Sequence, residues 1–79
     1  MDREEIFETL TEICKDVFDV DEIELTDDTT ADDIEEWDSL THLSLINEVE
    51  MEYGFKFTMA EIQQLKNVGD LVDTIIKHA

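Results

Sequence analysis

EEWDSLTHLSLI, residues 35–46, is where an acidic and irregular segment gives way to a helix. Asp38 and Ser39 are both residue types that favour helix N-termini. Further along the chain lies Gly54, and glycine is the residue type that often ends a helix in a left-handed conformation. We therefore predict a helix over residues 39–53. Its apolar residues are three or four positions apart, which predicts one inward face made of Leu40, Leu43, Ile46, Val49 and Tyr53.

The N-terminal segment predicts another helix, over residues 3–18. Asp2 precedes it as a candidate cap, and Glu5 would complete an acidic form of the capping box. Its apolar stripe consists of Ile6, Phe7, Leu10, Ile13, Cys14 and Val17. Because Cys14 is the only cysteine, no intramolecular disulfide is expected, and we interpret it as a small core residue.

Two helices are predicted near the C-terminus. The first is short, over residues 59–65, and starts with a capping box of Thr58 and Glu61. The second covers residues 68–78, with Asn67 as its cap. Its amphipathic stripe consists of Val68, Leu71, Val72, Ile75 and Ile76.

Residues 19–38 form a long connection between the first two helices. We predict a short helical turn over residues 32–36, capped by Thr30. Apolar residues spaced along the segment can anchor it to the core: Ile23, Leu25, Ile34 and Trp37. The predicted fold class is all-α, a single domain over residues 1–79. It is a small bundle of three main helices plus one short helix, with a long loop between helices 1 and 2.

The charge balance restricts the partners. The chain has 23 acidic and 5 basic residues, a formal net charge of -18. Nucleic acid and anionic membranes are therefore not expected as partners, because binding them needs positive charge. Basic partner proteins would explain the acid, and so would solubility alone. The acidic N-terminus is unlike a signal peptide and no apolar run has the length of a membrane span, so we expect a cytoplasmic protein.

No catalytic residue or metal site is predicted. Ser39 and His42 are three residues apart, but a hydrolase would also need an oxyanion hole, for which the sequence offers no glycine-rich turn. A calcium loop needs a central glycine, and residues 16–38 contain none. Cys14, His42 and His78 lack the short spacings of zinc ligands.

A serine hydroxyl at a helix start is suited to carry a phosphodiester, because helix N-termini accommodate phosphate. Here the chain resembles the acyl carrier proteins, the family that bears phosphopantetheine. The resemblance covers essentially the whole chain. It depends on Asp38-Ser39-Leu40, on NEVEMEYGFKF at residues 47–57 and on TMAEIQQLKNVGDL at residues 58–71.

The resemblance implies that Ser39 carries covalent 4'-phosphopantetheine, flanked by Asp38 and Leu40. A phosphopantetheinyl transferase would attach it. The protein would be a monomer and no enzyme. It would present acyl thioesters to acyl-transferring, condensing or ligating enzymes with basic docking patches, in fatty-acid, polyketide or related biosynthesis. The partner-binding residues would be Leu40, Leu43, Asn47, Glu48, Glu50 and Met51. The alternative is a cofactor-free acidic helical interaction domain.

Several residues depart from the pattern typical of carriers in fatty-acid synthesis. Glu36-Trp37 stands where such carriers have glycine and alanine. Thr41 and Ser44 stand where acidic residues are usual, and Asn47 replaces a large apolar residue. These residues instead resemble carriers of secondary-metabolite or envelope-polymer pathways.

Overall fold

The computed structural model describes residues 2–78. Its α-helices are α1 (Arg3–Phe18), α2 (Ser39–Tyr53), α3 (Met59–Gln64) and α4 (Val68–His78). The part described contains no strand, so the predicted all-α bundle is confirmed. The bounds of α1, α2 and α4 are as predicted, and α3 ends one residue earlier than expected.

The core lies where α1, α2 and α4 meet. Burial raises the pKa of the Cys14 thiol to about 12, so this cysteine is an unreactive core residue, as predicted. Its buried apolar neighbours come from these three helices and the α2–α3 link: Ile6, Leu10, Phe18, Leu45, Ile46, Val49, Phe57, Val68, Leu71, Val72 and Ile75.

The predicted inward face of α2 is partly wrong. Leu40 and Leu43 are 78% and 62% exposed, whereas Leu45, absent from the predicted face, is 1% exposed. An α-helix turns by about 100° per residue, so Leu40 lies half a turn away from buried Val49. Apolar residues therefore occupy two faces of α2, and only the face of Leu45, Ile46 and Val49 contacts the core.

The predicted capping box of α1 does not form. Asp2 is the N-cap residue, but its side chain makes no capping hydrogen bond, so Glu5 completes no box. At the other end, Asp19 adopts the left-handed conformation, with φ 55° and ψ 51°. The N–H of Val20 then donates to the carbonyl of Lys15 at 3.0 Å, which closes the last turn.

The loop between α1 and α2 is hydrogen-bonded to the start of α4. The carbonyl of Thr29 accepts the N–H of Val68 at 2.8 Å, and that of Asp27 accepts the N–H of Gly69 at 3.0 Å. A Cβ at Gly69 would lie only 2.9 Å from the Asp27 carbonyl oxygen. Glycine is therefore needed here for the close approach of the loop backbone.

The turn inside this loop lies slightly earlier than predicted. It is a 3-10 turn, Ala31–Asp33, and not a turn over residues 32–36. Thr30 is its N-cap, and its N–H donates to the Asp33 carboxylate at 3.0 Å.

Glu61 connects α3 to the end of α4. Its carboxylate accepts the N–H of Thr58 at 2.9 Å, which forms the predicted capping box. His78 Nε2 lies 2.9 Å from the same carboxylate, and the His78 ring stacks on Phe55 with centroids 4.4 Å apart. The Thr58 N–H and then His78 lower the pKa of Glu61 to about 2. The α4 cap is also as predicted, because the Asn67 side chain accepts the N–H of residue 70 at 2.8 Å.

No helix within residues 2–78 combines the length and the apolar character that crossing a membrane requires.

Candidate functional site

Ser39 is the first residue of α2, and it is exposed. The preceding Asp38 defines this start, because its Oδ1 accepts the N–H of Leu40 at 2.9 Å and that of Thr41 at 3.0 Å. Thr41 Oγ1 in turn accepts the N–H of Asp38 at 2.7 Å. This reciprocal capping box holds the helix start in one register and leaves Ser39 facing solvent.

The capping hydrogen bonds also set the electrostatics beside Ser39. Chiefly the N–H of Thr41 lowers the pKa of Asp38, so its carboxylate is ionised at neutral pH. The same bonds occupy the N–H groups of Leu40 and Thr41. These two donors are therefore not open to a phosphate group on Ser39.

Trp37, two residues before Ser39 in the sequence, pairs with His42, three residues after it. The Trp37 Nε1–H donates to His42 Nδ1 at 3.0 Å, and the two rings stack with centroids 6.0 Å apart. Because Nδ1 accepts, the neutral His42 ring carries its proton on Nε2. Burial lowers the pKa of His42, which favours this neutral form. The hydrogen bonds of residues 2–78 include none between His42 and Ser39.

Trp37 also connects the loop to the core. Its ring lies 5.8 Å from the ring of Phe18 at the end of α1. The loop that leads to Ser39 is thereby attached to both α1 and α2, in agreement with the predicted anchoring role of Trp37.

A surface groove of about 330 Å³ lies beside Ser39. Trp37 and His42 lie on one side, and Leu65 and Lys66 come from the connection between α3 and α4. The groove is apolar and aromatic on much of its lining, with Asp38 and Lys66 as its charged residues. A flexible chain attached to Ser39 would meet this groove first.

The outward face of α2 carries most of the predicted partner-binding residues. Leu40, Leu43 and Met51 are exposed apolar side chains. Asn47 and Glu48 are exposed beside them, and the Asn47 amide contacts Met51 Sδ at 3.6 Å. Large exposed apolar side chains grouped on one helix are typical of an interaction surface.

Glu50 is the exception among these residues. It is half-buried, and its carboxylate accepts the backbone N–H of Phe57 at 2.7 Å. This bond ties the end of α2 to the link before α3. The structure therefore gives Glu50 a structural role that the sequence pattern did not indicate.

Residues 2–78 contain no group of three or more His, Cys, Asp or Glu side chains placed to hold a metal ion. The sequence reasoning missed the Trp37–His42 hydrogen bond and the reciprocal role of Thr41. The signal was present, since Trp37 and Thr41 both depart from the usual carrier pattern.

Comparisons with known proteins agree on one family. A family model described as "Phosphopantetheine attachment site" matches residues 8–75. The acyl carrier protein of Coprothermobacter proteolyticus is 40% identical over 75 residues, which cover 95% of this chain and 92% of the relative. That of Rubrobacter xylanophilus is 36% identical over 78 residues, covering 99% and 96%.

A solved structure is similar in both fold and sequence. The solution structure of a holo acyl carrier protein from Geobacter metallireducens matches with a TM-score of 0.84 and 51% identity. The match covers 90% of this chain and 82% of that one.

Proposed function

The chain belongs to the phosphopantetheine attachment-site family of acyl carrier proteins, and on that basis we propose that Ser39 is its attachment residue. The family makes the protein a carrier and not a catalyst, with covalent 4'-phosphopantetheine as its cofactor. The observation that carries the proposal is the exposed hydroxyl of Ser39 at the first position of α2, held there by the Asp38 capping box.

The residues around Ser39 fit the proposed cofactor. The hydroxyl is exposed, so a transferase can reach it, and the adjacent groove offers apolar and aromatic surface for a flexible arm. The arm supplies a terminal thiol that holds an acyl group as a thioester. The protein itself contributes position, because a tethered group has a high effective concentration at a partner's active site.

Family membership implies biosynthetic partner enzymes and a phosphopantetheinyl transferase. We propose that they bind the outward face of α2, with Leu40, Leu43 and Met51 as apolar contacts and Glu48 as a charge for basic patches. Asn47 lies within this surface. Glu50 contributes less than the sequence suggested, because its carboxylate already accepts the Phe57 N–H.

We also propose a pathway outside core fatty-acid synthesis. Support comes from Glu36-Trp37 and from Thr41, Ser44 and Asn47, which depart from the pattern of fatty-acid carriers. A single carrier domain over residues 1–79, acting as a cytoplasmic monomer, completes the proposal. The family match gives no support to the cofactor-free interaction domain.

The test is modification by a transferase. Incubation of the unmodified protein with coenzyme A and a broad-range phosphopantetheinyl transferase is expected to add one phosphopantetheine to the intact mass. Ser39→Ala should abolish the addition. The matched control is Ser44→Ala, which removes the other serine of the chain, also exposed on α2, and should be modified like the wild type. Failure of several transferases to modify the wild type would contradict the proposal.

A further inference from the structure

The start of α2 has little capacity left to neutralise a phosphate. The N–H groups of Leu40 and Thr41 donate to the Asp38 side chain, and the N–H of His42 donates to the Asp38 carbonyl at 2.8 Å. A phosphodiester on Ser39 would therefore add a negative charge next to an ionised carboxylate whose own bonds use the nearby donors. A cation elsewhere on the groove would therefore compensate this added charge.

Cations are scarce in this chain, with 5 Lys and Arg residues against 23 acidic ones. Three of the five pair with carboxylates: Arg3 with Asp27 and Asp73, Lys15 with Glu12 at 3.8 Å and Lys77 with Glu61 at 3.5 Å. Within residues 2–78, neither Lys56 nor Lys66 has a carboxylate oxygen within 4.0 Å of its Nζ.

These two lysines lie at opposite ends of α2. Lys66 lines the groove that contains Ser39, whereas Lys56 lines a separate depression near Gly54, at the C-terminal end of α2. The fifteen residues of α2 separate these ends by about 22 Å at 1.5 Å per residue. Lys56 therefore serves as a control with the same chemistry and a different position.

The backbone of Lys66 is held in place by a hydrogen bond, while its side chain is exposed. Its backbone N–H donates to the Asp70 carboxylate at 3.0 Å, immediately before α4 begins. A lysine ammonium on a flexible stem can then reach across the groove from a defined starting point.

We propose that the Lys66 ammonium binds the phosphodiester of the arm on Ser39 and holds the first part of the arm against the α3–α4 side of the groove. This inference rests on the proposal that Ser39 is the attachment residue. It assigns Lys66 a binding role that its sequence context, between the two C-terminal helices, did not indicate.

The test uses ³¹P NMR, because the modified chain contains a single phosphorus atom. Wild type, Lys66→Gln and Lys56→Gln are each converted to the modified form, and intact mass verifies complete conversion. At low salt, Lys66→Gln is expected to shift the ³¹P resonance by more than its line width, while Lys56→Gln leaves it in place. Raising NaCl to about 0.5 M should move the wild-type resonance toward that of Lys66→Gln, because salt screens exposed charges.

Lys66→Arg keeps the charge and should keep a salt-dependent ³¹P resonance, which separates loss of charge from a change in fold. Complete modification with coincident wild-type and Lys66→Gln resonances would overturn the role of Lys66 and leave the attachment at Ser39 intact. A wild type that accepts no phosphopantetheine would overturn both proposals.

Discussion

Leu45 and Leu43 allow a direct test of how α2 is oriented. They are the same residue type two positions apart, yet Leu45 is 1% exposed and Leu43 is 62% exposed. Leu45→Ala removes three buried carbon atoms, about 2.4 kcal/mol of transfer free energy at about 0.8 kcal/mol each. The remaining cavity raises the loss to about 3 kcal/mol. Leu43→Ala removes the same atoms from a mostly exposed side chain and should cost about 0.9 kcal/mol at most.

Urea titration followed by far-UV circular dichroism measures the difference. A gap of about 2 kcal/mol between the two variants corresponds to about 2 M in the urea midpoint, for a slope of about 1 kcal/mol/M. A chain of this size has a total stability of about 4–12 kcal/mol, and at the lower bound Leu45→Ala leaves too little folded protein to titrate. In that case the milder matched pair Leu45→Val and Leu43→Val replaces the alanine variants, with expected losses of about 1 kcal/mol at buried Leu45 and about 0.3 kcal/mol at exposed Leu43. Equal midpoints, or a lower midpoint for Leu43→Ala, would refute the assigned inward face.

Three further perturbations test the contacts around the site and the bundle. Burial lowers the pKa of His42 in the folded protein, so the neutral ring stabilises the fold fully above about pH 6.5. This stabilisation is lost as the pH falls from about 6.5 toward the lower pKa of the folded state. The emission of Trp37, the only tryptophan, should change with a midpoint below pH 6.5, and His42→Gln should remove that change. Glu61→Gln should lower the melting temperature at pH 7, and the difference from the wild type should shrink as the pH falls from about 4.5 toward the Glu61 pKa of about 2. Gly69→Ala should cost about 1–3 kcal/mol in urea titration, because its Cβ would lie 2.9 Å from a loop carbonyl oxygen.

Each of these expectations has a clear contrary result. A Trp37 emission midpoint at or above pH 6.5, or one that persists in His42→Gln, would contradict the paired geometry. A constant melting-temperature difference between Glu61→Gln and the wild type from pH 7 to about pH 3 would mean that the carboxylate charge contributes nothing. If Gly69→Ala has the same urea midpoint as the wild type, the loop backbone moves away from the added Cβ without loss of stability.

The sequence was sufficient to predict helices whose ends are determined by capping residues, because these residues bond to nearby backbone groups. Thr58 and Glu61 cap α3 as expected, Asn67 caps α4, and Gly54 ends α2 with φ 71°. Capping depends on neighbouring backbone groups, so a short stretch of sequence contains enough information. The failure at Asp2 shows that a suitable residue type does not ensure the hydrogen bond.

The orientation of α2 and the pairing of Trp37 with His42 required tertiary contacts. Apolar residues surround much of α2, so periodicity alone did not distinguish the face of Leu45 from that of Leu43. The Trp37–His42 hydrogen bond joins a loop residue to a helix residue, which no helical or strand period describes. The contact of Lys66 with the groove likewise depends on how the α3–α4 connection folds back toward Ser39.

The central claim is that one serine, Ser39, carries the arm. The most direct measurement is fragmentation of the modified peptide WDSLTHLSLINE, residues 37–48, by electron-transfer mass spectrometry after cleavage at glutamate. This peptide contains both serines of the chain, so the fragment ions decide between them. We predict the whole added mass on Ser39 and none on Ser44. Phosphopantetheine on Ser44, or on any other residue, would contradict the account.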